Sequence, residues 1–126
     1  MFQVVYEHPE SWPANGPLVV DLPRVQVEVP VSPDEARRHA NGYLVTYVSM
    51  TLHATDPMLI LGERPLWRLS LEMRLRRWGP VTTLGTLEVD AQTGAVLPFT
   101  DEQIRALQDR ANAIVARLTS TATPAV

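Results

Sequence analysis

Between Trp67 and Arg76 the chain alternates apolar and polar residues without a fault. Trp67, Leu69, Leu71, Met73 and Leu75 take one parity, and Arg68, Ser70, Glu72, Arg74 and Arg76 take the other. Successive side chains of a strand point to opposite faces, so this pattern makes a half-buried strand; wound into a helix it would scatter the apolar set around the circumference. A second run follows, in which Thr83, Gly85, Leu87, Val89 and Ala91 alternate with Leu84, Thr86, Glu88 and Asp90. A slip of one residue would turn a whole apolar face to water, so parity restricts how the runs pair. With Trp78-Gly79-Pro80 as the loop, Leu71 is expected opposite Leu87, Leu69 opposite Val89 and, on the wet face, Arg68 opposite Asp90.

The flanks extend this hairpin into a sheet. Met58 to Leu61 is an apolar run suited to a buried strand, and Gly62-Glu63-Arg64-Pro65 turns it into the central run. After Val89, the carboxylate of Asp90 is placed to accept backbone N–H groups of the turn Asp90-Ala91-Gln92-Thr93-Gly94, where Gly94 supplies a positive φ. Ala95 to Leu97 then returns as a short strand, stopped by Pro98. Antiparallel hairpins are therefore expected over 58–76, 66–91 and 81–98.

Two helices complete the expectation. Ser32 has the attributes of an N-cap, with Pro33 at the first helical position and Glu35 at the third to close a capping box. From there Ala36, Ala40, Tyr43, Leu44, Tyr47 and Thr51 recur at helical spacing, which predicts a helix from Pro33 to about His53, ended by Asp56-Pro57. Asn41-Gly42 and the β-prone segment from Tyr43 to Thr51 support a competing reading, a short helix ending near Asn41 followed by a strand. In the longer helix Val45, Val48 and Leu52 form an apolar ridge off the core face, and an exposed ridge implies a partner. The second helix, Asp101 to about Leu118, is capped by Thr100 with Gln103 completing the box and Phe99 with Ile104 as the staple. Its apolar set is Ile104, Leu107, Ala111, Ile114, Val115 and Leu118. Asp101 with Arg105, and Arg105 with Asp109, are spaced for ion pairs.

The first 33 residues contain six of the eleven prolines, which excludes long helix there. Phe2 to Tyr6 suits a short strand, Glu7 to Pro17 a loop with Asn15-Gly16-Pro17 as its turn, and Leu18 to Val29 an edge strand, because Pro23 and Pro30 lack an N–H. The fold class expected is α+β: an antiparallel sheet with both helices on one face, in a single domain over 1–118. Within it, 1–31 form a proline-rich extension with an edge strand, and 119–126 a disordered tail.

At 126 residues the chain has enough core to fold without staples, and it has no cysteine to make disulfides or thiolate metal sites. A net charge of −3 from interspersed signs gives no electrostatic reason for general nucleic-acid or anionic-membrane binding. The N-terminus lacks the basic and apolar regions of an export signal, and no apolar segment approaches a membrane span, so a soluble, cytoplasmic protein is expected.

The run from Trp67 to Leu97, ending LGTLEVDAQTGAVL, together with the helix before it and the helix after it, resembles the PepSY-type module. The most specific piece is Val89-Asp90-Ala91-Gln92-Thr93-Gly94, and the resemblance covers Ser32 to about Leu118. It implies a layout similar to that of cystatins, with a helix preceding an antiparallel sheet. It also implies a non-catalytic role, inhibiting or binding other proteins in peptidase propeptides and envelope proteins.

The residues themselves carry no catalytic signature. His8, His39 and His53 lack a second ligand at metal spacing, and His39 beside Arg37 and Arg38 suits a solvated surface. No serine lies on a nucleophile elbow, and the carboxylates of Asp34, Glu35, Asp101 and Glu102 open helices. Glycines do not gather ahead of a helix as a phosphate loop needs. The expectation is a non-enzymatic interaction module without metal or cofactor, binding a protein partner or itself through Val45, Leu52, Trp78, Arg74 and Arg76. A second reading is a small-molecule-binding protein or an enzyme with a pocket between Tyr43, Tyr47, Trp67 and the sheet, since buried tyrosine hydroxyls need partners. A third uses Arg68, Arg74, Arg76 and Arg77 with Trp67 and Trp78 as a nucleic-acid surface, although Glu72, Glu88 and Asp90 share that face.

Overall fold

A computed structural model of the chain describes residues 3–9, 11–13, 16–22 and 25–122. Phe2 of the expected first strand, Asn15 of the expected turn, Pro23 and the last four residues of the expected tail lie outside them. The elements in chain order are β1 (Val4–Tyr6), β2 (Leu18–Leu22), β3 (Val25–Val29), α1 (Pro33–Tyr47), β4 (Leu52–Leu61), β5 (Leu66–Leu75), β6 (Gly79–Asp90) and α2 (Asp101–Ala122). Four strands form one antiparallel sheet in the order β1-β4-β5-β6, and β2 pairs with β3 in a separate ribbon. The fold is α+β, as the alternation and capping signals predict.

The inward parity of β5 is the centre of the core. Trp67, Leu69, Leu71 and Met73 have no accessible surface, and they join one cluster with Ala36, Ala40 and Leu44 of α1 and Leu107 and Ala111 of α2. Burying Leu69, Leu71 and Met73 contributes roughly 4.5–9 kcal/mol before conformational entropy is counted, and Trp67 adds to it. Both helices lie over this face, with the backbone of α2 farther from the sheet than that of α1. The segment ahead of α1 contributes to the same core. Its expected edge strand is instead the β2–β3 ribbon, from which Val20 and Val29 are buried in the cluster.

The register of the central hairpin differs by two residues from the expectation. Leu69 faces Leu87, Trp67 faces Val89 and Arg68 faces Glu88. The loop comes earlier, at Arg76-Arg77-Trp78: the Trp78 N–H donates to the Leu75 carbonyl at 3.1 Å and Gly79 follows at φ +69°. That is a turn followed by a left-handed residue, the usual three-residue hairpin. Two bulges on β6 then recover two of the four residues by which this earlier turn alone would shift the pairing. From Ser70 to Glu72 β5 takes two steps while its partner takes three, Thr86 to Thr83; from Met73 to Arg74 it takes one while β6 takes two, Thr82 to Pro80. The bulge at Leu84-Gly85 reverses the local parity, so Leu84 is buried where Thr83 and Gly85 were expected, and those two are exposed.

The first helix ends at Tyr47, six residues before the expected end at His53. The Leu44 carbonyl accepts from both Val48 and Ser49 N–H groups, and Ser49 Oγ then accepts from the Thr51 N–H, which turns the chain away from the helix axis. The competing break at Asn41-Gly42 is also absent. Asn41 stays helical because its side-chain oxygen accepts the Ala54 N–H at 2.8 Å, tying α1 to β4. β4 is one ten-residue strand in which Asp56, at φ 51°, and Pro57 form a bulge; they do not terminate a helix. A missing N–H is tolerated at such a bulge.

The second capping box agrees with the sequence reading, Thr100 and Gln103 exchanging bonds of 2.9 and 3.1 Å. The first is half formed: Ser32 Oγ accepts the Glu35 N–H at 3.1 Å, without a return bond to the Glu35 carboxylate. Asp90 Oδ1 accepts from Gln92 and Thr93 at 2.8 and 3.1 Å, and Gly94 sits at φ +81°. Ala95 to Leu97 forms only a bridge, Val89 with Val96, instead of a strand. α2 continues to Ala122, so residues 119–122 of the expected tail are helical. The expected pairs of Asp101 and Asp109 with Arg105 are absent among the described residues, whose ion pairs include Arg37–Asp34, Arg64–Asp90, Arg68–Glu88 and Arg74–Glu72.

Two glycines separate helix propensity from backbone need. Gly42 lies inside α1 with nothing within 4 Å of an added Cβ, whereas at Gly94 a Cβ would meet the His39 ring at 2.9 Å. Gly42→Ala is expected to stabilise the protein by about 0.5–1 kcal/mol, and Gly94→Ala to destabilise it by about 1–3 kcal/mol, both read from urea unfolding midpoints.

Candidate functional site

The end of the domain where α1 stops and the β5–β6 hairpin turns gathers most of the residues expected to meet a partner. The Arg74 N–H donates to the Thr51 carbonyl at 2.8 Å, so the loop after α1 is fastened to the end of β5. Val45, on the last turn of α1, is 56 % exposed, and Met50, at the crest of the Ser49-Met50-Thr51 turn, is 78 % exposed. Together with Asn41, Gly42, Leu52 and His53 they line one shallow depression beside the outer edge of β4. No Asp, Glu, Lys or Arg contributes to it.

Leu52 is a correction. It was expected on an exposed helical ridge, but it opens β4 opposite Met73 and is 3 % exposed, forming the floor of the depression beneath Val45 and Met50. Val48, the third ridge residue, is also buried. Helical spacing no longer applies once the helix has ended. Met50 becomes the most exposed large apolar side chain at this end; the Ser-x-Thr turn chemistry around it is the local signal that locates it.

Trp78 stands at the hairpin tip, 43 % exposed, with the Arg77 guanidinium 6.0 Å from its ring centroid. Arg76 is exposed beside it. Arg74 is bound by Glu72 and Arg68 by Glu88 at 2.9 Å, so these two face the open side of the sheet already partnered by carboxylates.

The three expected pocket residues are not brought together. Trp67 is fully buried, donating its indole N–H to the Val31 carbonyl at 2.8 Å and packing against His8 and Trp12 at 5.0 and 5.9 Å between ring centroids. Trp12 thereby pins the N-terminal segment to the core. Tyr43 and Tyr47 lie elsewhere, their rings tilted against each other at 5.4 Å between centroids on α1, with Tyr43 against Phe99. Their groove runs between the two helices, over Pro98, Phe99, Asp101 and Ile104, not between helix and sheet. The Tyr43 hydroxyl accepts the Phe99 N–H at 2.9 Å, so its polar demand is met by backbone, and Tyr47 is 64 % exposed.

The edges of the sheet are blunted. β1 pairs with Leu59 to Leu61, so the outer side of that apolar run is covered by the chain's own N-terminal strand. Beyond it, Asn41 occupies the Ala54 N–H and the Asp56-Pro57 bulge interrupts the ladder. On the other edge, β6 carries Pro80 and two bulges, and Arg110 donates to the Leu84 carbonyl at 3.4 Å. Such features disfavour strand addition.

His39 is exposed, yet its Nδ1 donates to the Gly94 carbonyl at 2.7 Å, which assigns it to the turn and not to solvent alone. Among the described residues no three His, Asp or Glu side chains converge on a metal position, and no helix is long and apolar enough to cross a membrane. Compared with family models, with curated proteins and with solved structures, the chain matches none.

The tyrosine groove is open to a simple test. Tyr43→Phe removes the acceptor for the Phe99 N–H and is expected to cost about 0.5–1.5 kcal/mol, while Tyr47→Phe changes stability by less than about 0.5 kcal/mol. Denaturant titration of both variants measures the difference.

Proposed function

We propose that the chain is a non-enzymatic interaction module that self-associates through the depression at the end of α1, which no Asp, Glu, Lys or Arg lines. The observation that carries this reading is the exposure of Met50 and Val45 side by side over the buried Leu52. Scattered apolar residues are normal on a surface. Here two of them are contiguous, one on a turn fixed by hydrogen bonds, and they are displayed without flanking charge in their own lining.

A second copy suits that surface. Two-fold association brings each surface residue against its own kind or a near neighbour, so a charged patch repels itself while an uncharged apolar one does not. Met is well adapted to such a contact because its unbranched side chain repacks at little cost. Trp78, Arg76 and Arg77 at the neighbouring hairpin tip supply a rim that sets orientation. The contact is made by side chains, since edge strand β6 is interrupted by Pro80 and two bulges and the other edge strand, β1, is only three residues long. The resemblance of Ser32 to Leu118 to PepSY-type modules, whose members bind or inhibit without catalysing, supports the same class of function, as does a helix placed before an antiparallel meander.

The alternative readings have less behind them. A small-molecule pocket at the tyrosines loses the argument from an unmet hydroxyl, and a nucleic-acid face loses Arg68 and Arg74 to their carboxylates.

Sedimentation or light scattering at two concentrations about tenfold apart is expected to show the mass rising from one chain towards two. Met50→Asp and Val45→Asp, both at exposed positions, hold the protein monomeric with an unchanged circular dichroism spectrum. A wild-type protein that stays monomeric at both concentrations overturns the proposal, as does dimerisation indifferent to both substitutions.

A further inference from the structure

We infer that the cleft between α2 and the bulged edge of β6 is a binding site for a small apolar monocarboxylate. The cleft has a volume of about 230 Å³ and is walled by Leu84, Gly85, Phe99, Leu107 and Arg110, with the buried Leu71 behind them and Gln103, Ala106 and Thr86 at its margins. It is distant in kind and place from the Val45–Met50 depression, with which it shares no residue.

The bulge creates it. Between the pairs Ser70–Thr86 and Glu72–Thr83 the extra residue on β6 turns Leu84 inward and places Gly85 at φ +138°, with nothing within 4 Å of the position a Cβ would take. The wall facing α2 therefore has no side chain at that point. α2 bridges the gap through Leu107, from a backbone set off from the sheet, and open space is left between them.

The charge in this cleft has one sign. Arg110 is the only ionisable residue of the lining, and among the described residues no carboxylate lies within ion-pair distance of it; its recorded bond is the long one to the Leu84 carbonyl. A guanidinium with spare donors beside apolar walls is complementary to a carboxylate, which it binds with two parallel hydrogen bonds, carried on an apolar stem that rests on Leu84, Leu107 and Phe99. A bare inorganic anion would leave those walls wet, and an amine would meet like charge. The volume lies below the roughly 300–1,000 Å³ of drug-sized sites, so the ligand is short.

Hexanoate, 1-hexanol and hexylamine serve as probes in an amide chemical-shift titration of the ¹⁵N-labelled full chain. Hexanoate is expected to produce saturable shifts centred on Leu84 to Thr86 and on Gln103 to Arg110. The alcohol binds more weakly and the amine gives no saturable response. Arg110→Gln weakens hexanoate by about tenfold or more. Ala106→Phe, an exposed helical position at the margin, blocks the cleft and abolishes binding while the remaining spectrum keeps its dispersion. Absence of saturable shifts with hexanoate overturns the proposal. So does equal binding of hexanoate and hexylamine, unchanged affinity in Arg110→Gln, or shifts centred on another part of the chain.

Discussion

One buried indole joins the parts of this protein. Trp67 occupies the middle of the sheet, opposite Leu59 on one side and Val89 on the other, and its single polar atom reaches the Val31 carbonyl at the start of α1. A tryptophan carries 150–250 Å² of surface, so its burial is worth roughly 4–6 kcal/mol. The N–H must find an acceptor when buried, and that requirement places the chain just before α1 against the sheet. His8 and Trp12 pack on the ring, which draws the proline-rich N-terminal segment onto the same core. From there Val31 donates to the Ala91 carbonyl, and Ala91 to Pro65, so helix start, turn and β5 are tied at one end.

The opposite end is less constrained, and the surface features are found there. α1 stops at Tyr47 because local hydrogen bonds of Val48, Ser49 and Thr51 offer the backbone an alternative to another turn, and Gln108 of α2 donates to the Val48 carbonyl that is left over. Ending early converts Leu52 from a helical surface residue into the first core residue of β4. It also leaves Met50 on a crest above it. The same six residues, read as helix or as turn and strand, give two different surfaces.

Bulges do for β6 and β4 what the turn does for α1. Each inserts one residue, bends its strand and changes which side chains face the core. On β6 the insertion moves Leu84 inward and opens the cleft beside Arg110; on β4 the Asp56-Pro57 bulge interrupts a stretch of exposed edge. Neither strand presents a long, flat, unpaired edge, so association with another chain falls to side-chain surfaces.

Alternation from Trp67 to Leu75, the helix caps at Ser32 and Thr100 and the Asp90–Gly94 turn were determined by the sequence alone, because each depends on groups within a few residues of one another. Antiparallel pairing of β5 with β6 and the faces of Leu87 and Val89 follow from the same local periodicity. Register, helix end and site were decided only by tertiary structure. Gly85 inside an otherwise alternating run is a sign of a bulge, but the two-residue shift depends on where the turn closes and on both insertions together. Tyr43 to Leu52 is ambiguous between helix and strand by propensity, and the balance is set by distant partners: Asn41 accepting from Ala54, and Gln108 donating to Val48. Trp67, a candidate for a pocket by its chemistry, became the centre of the core because its N–H partner comes from a carbonyl 36 residues away, which no local pattern specifies.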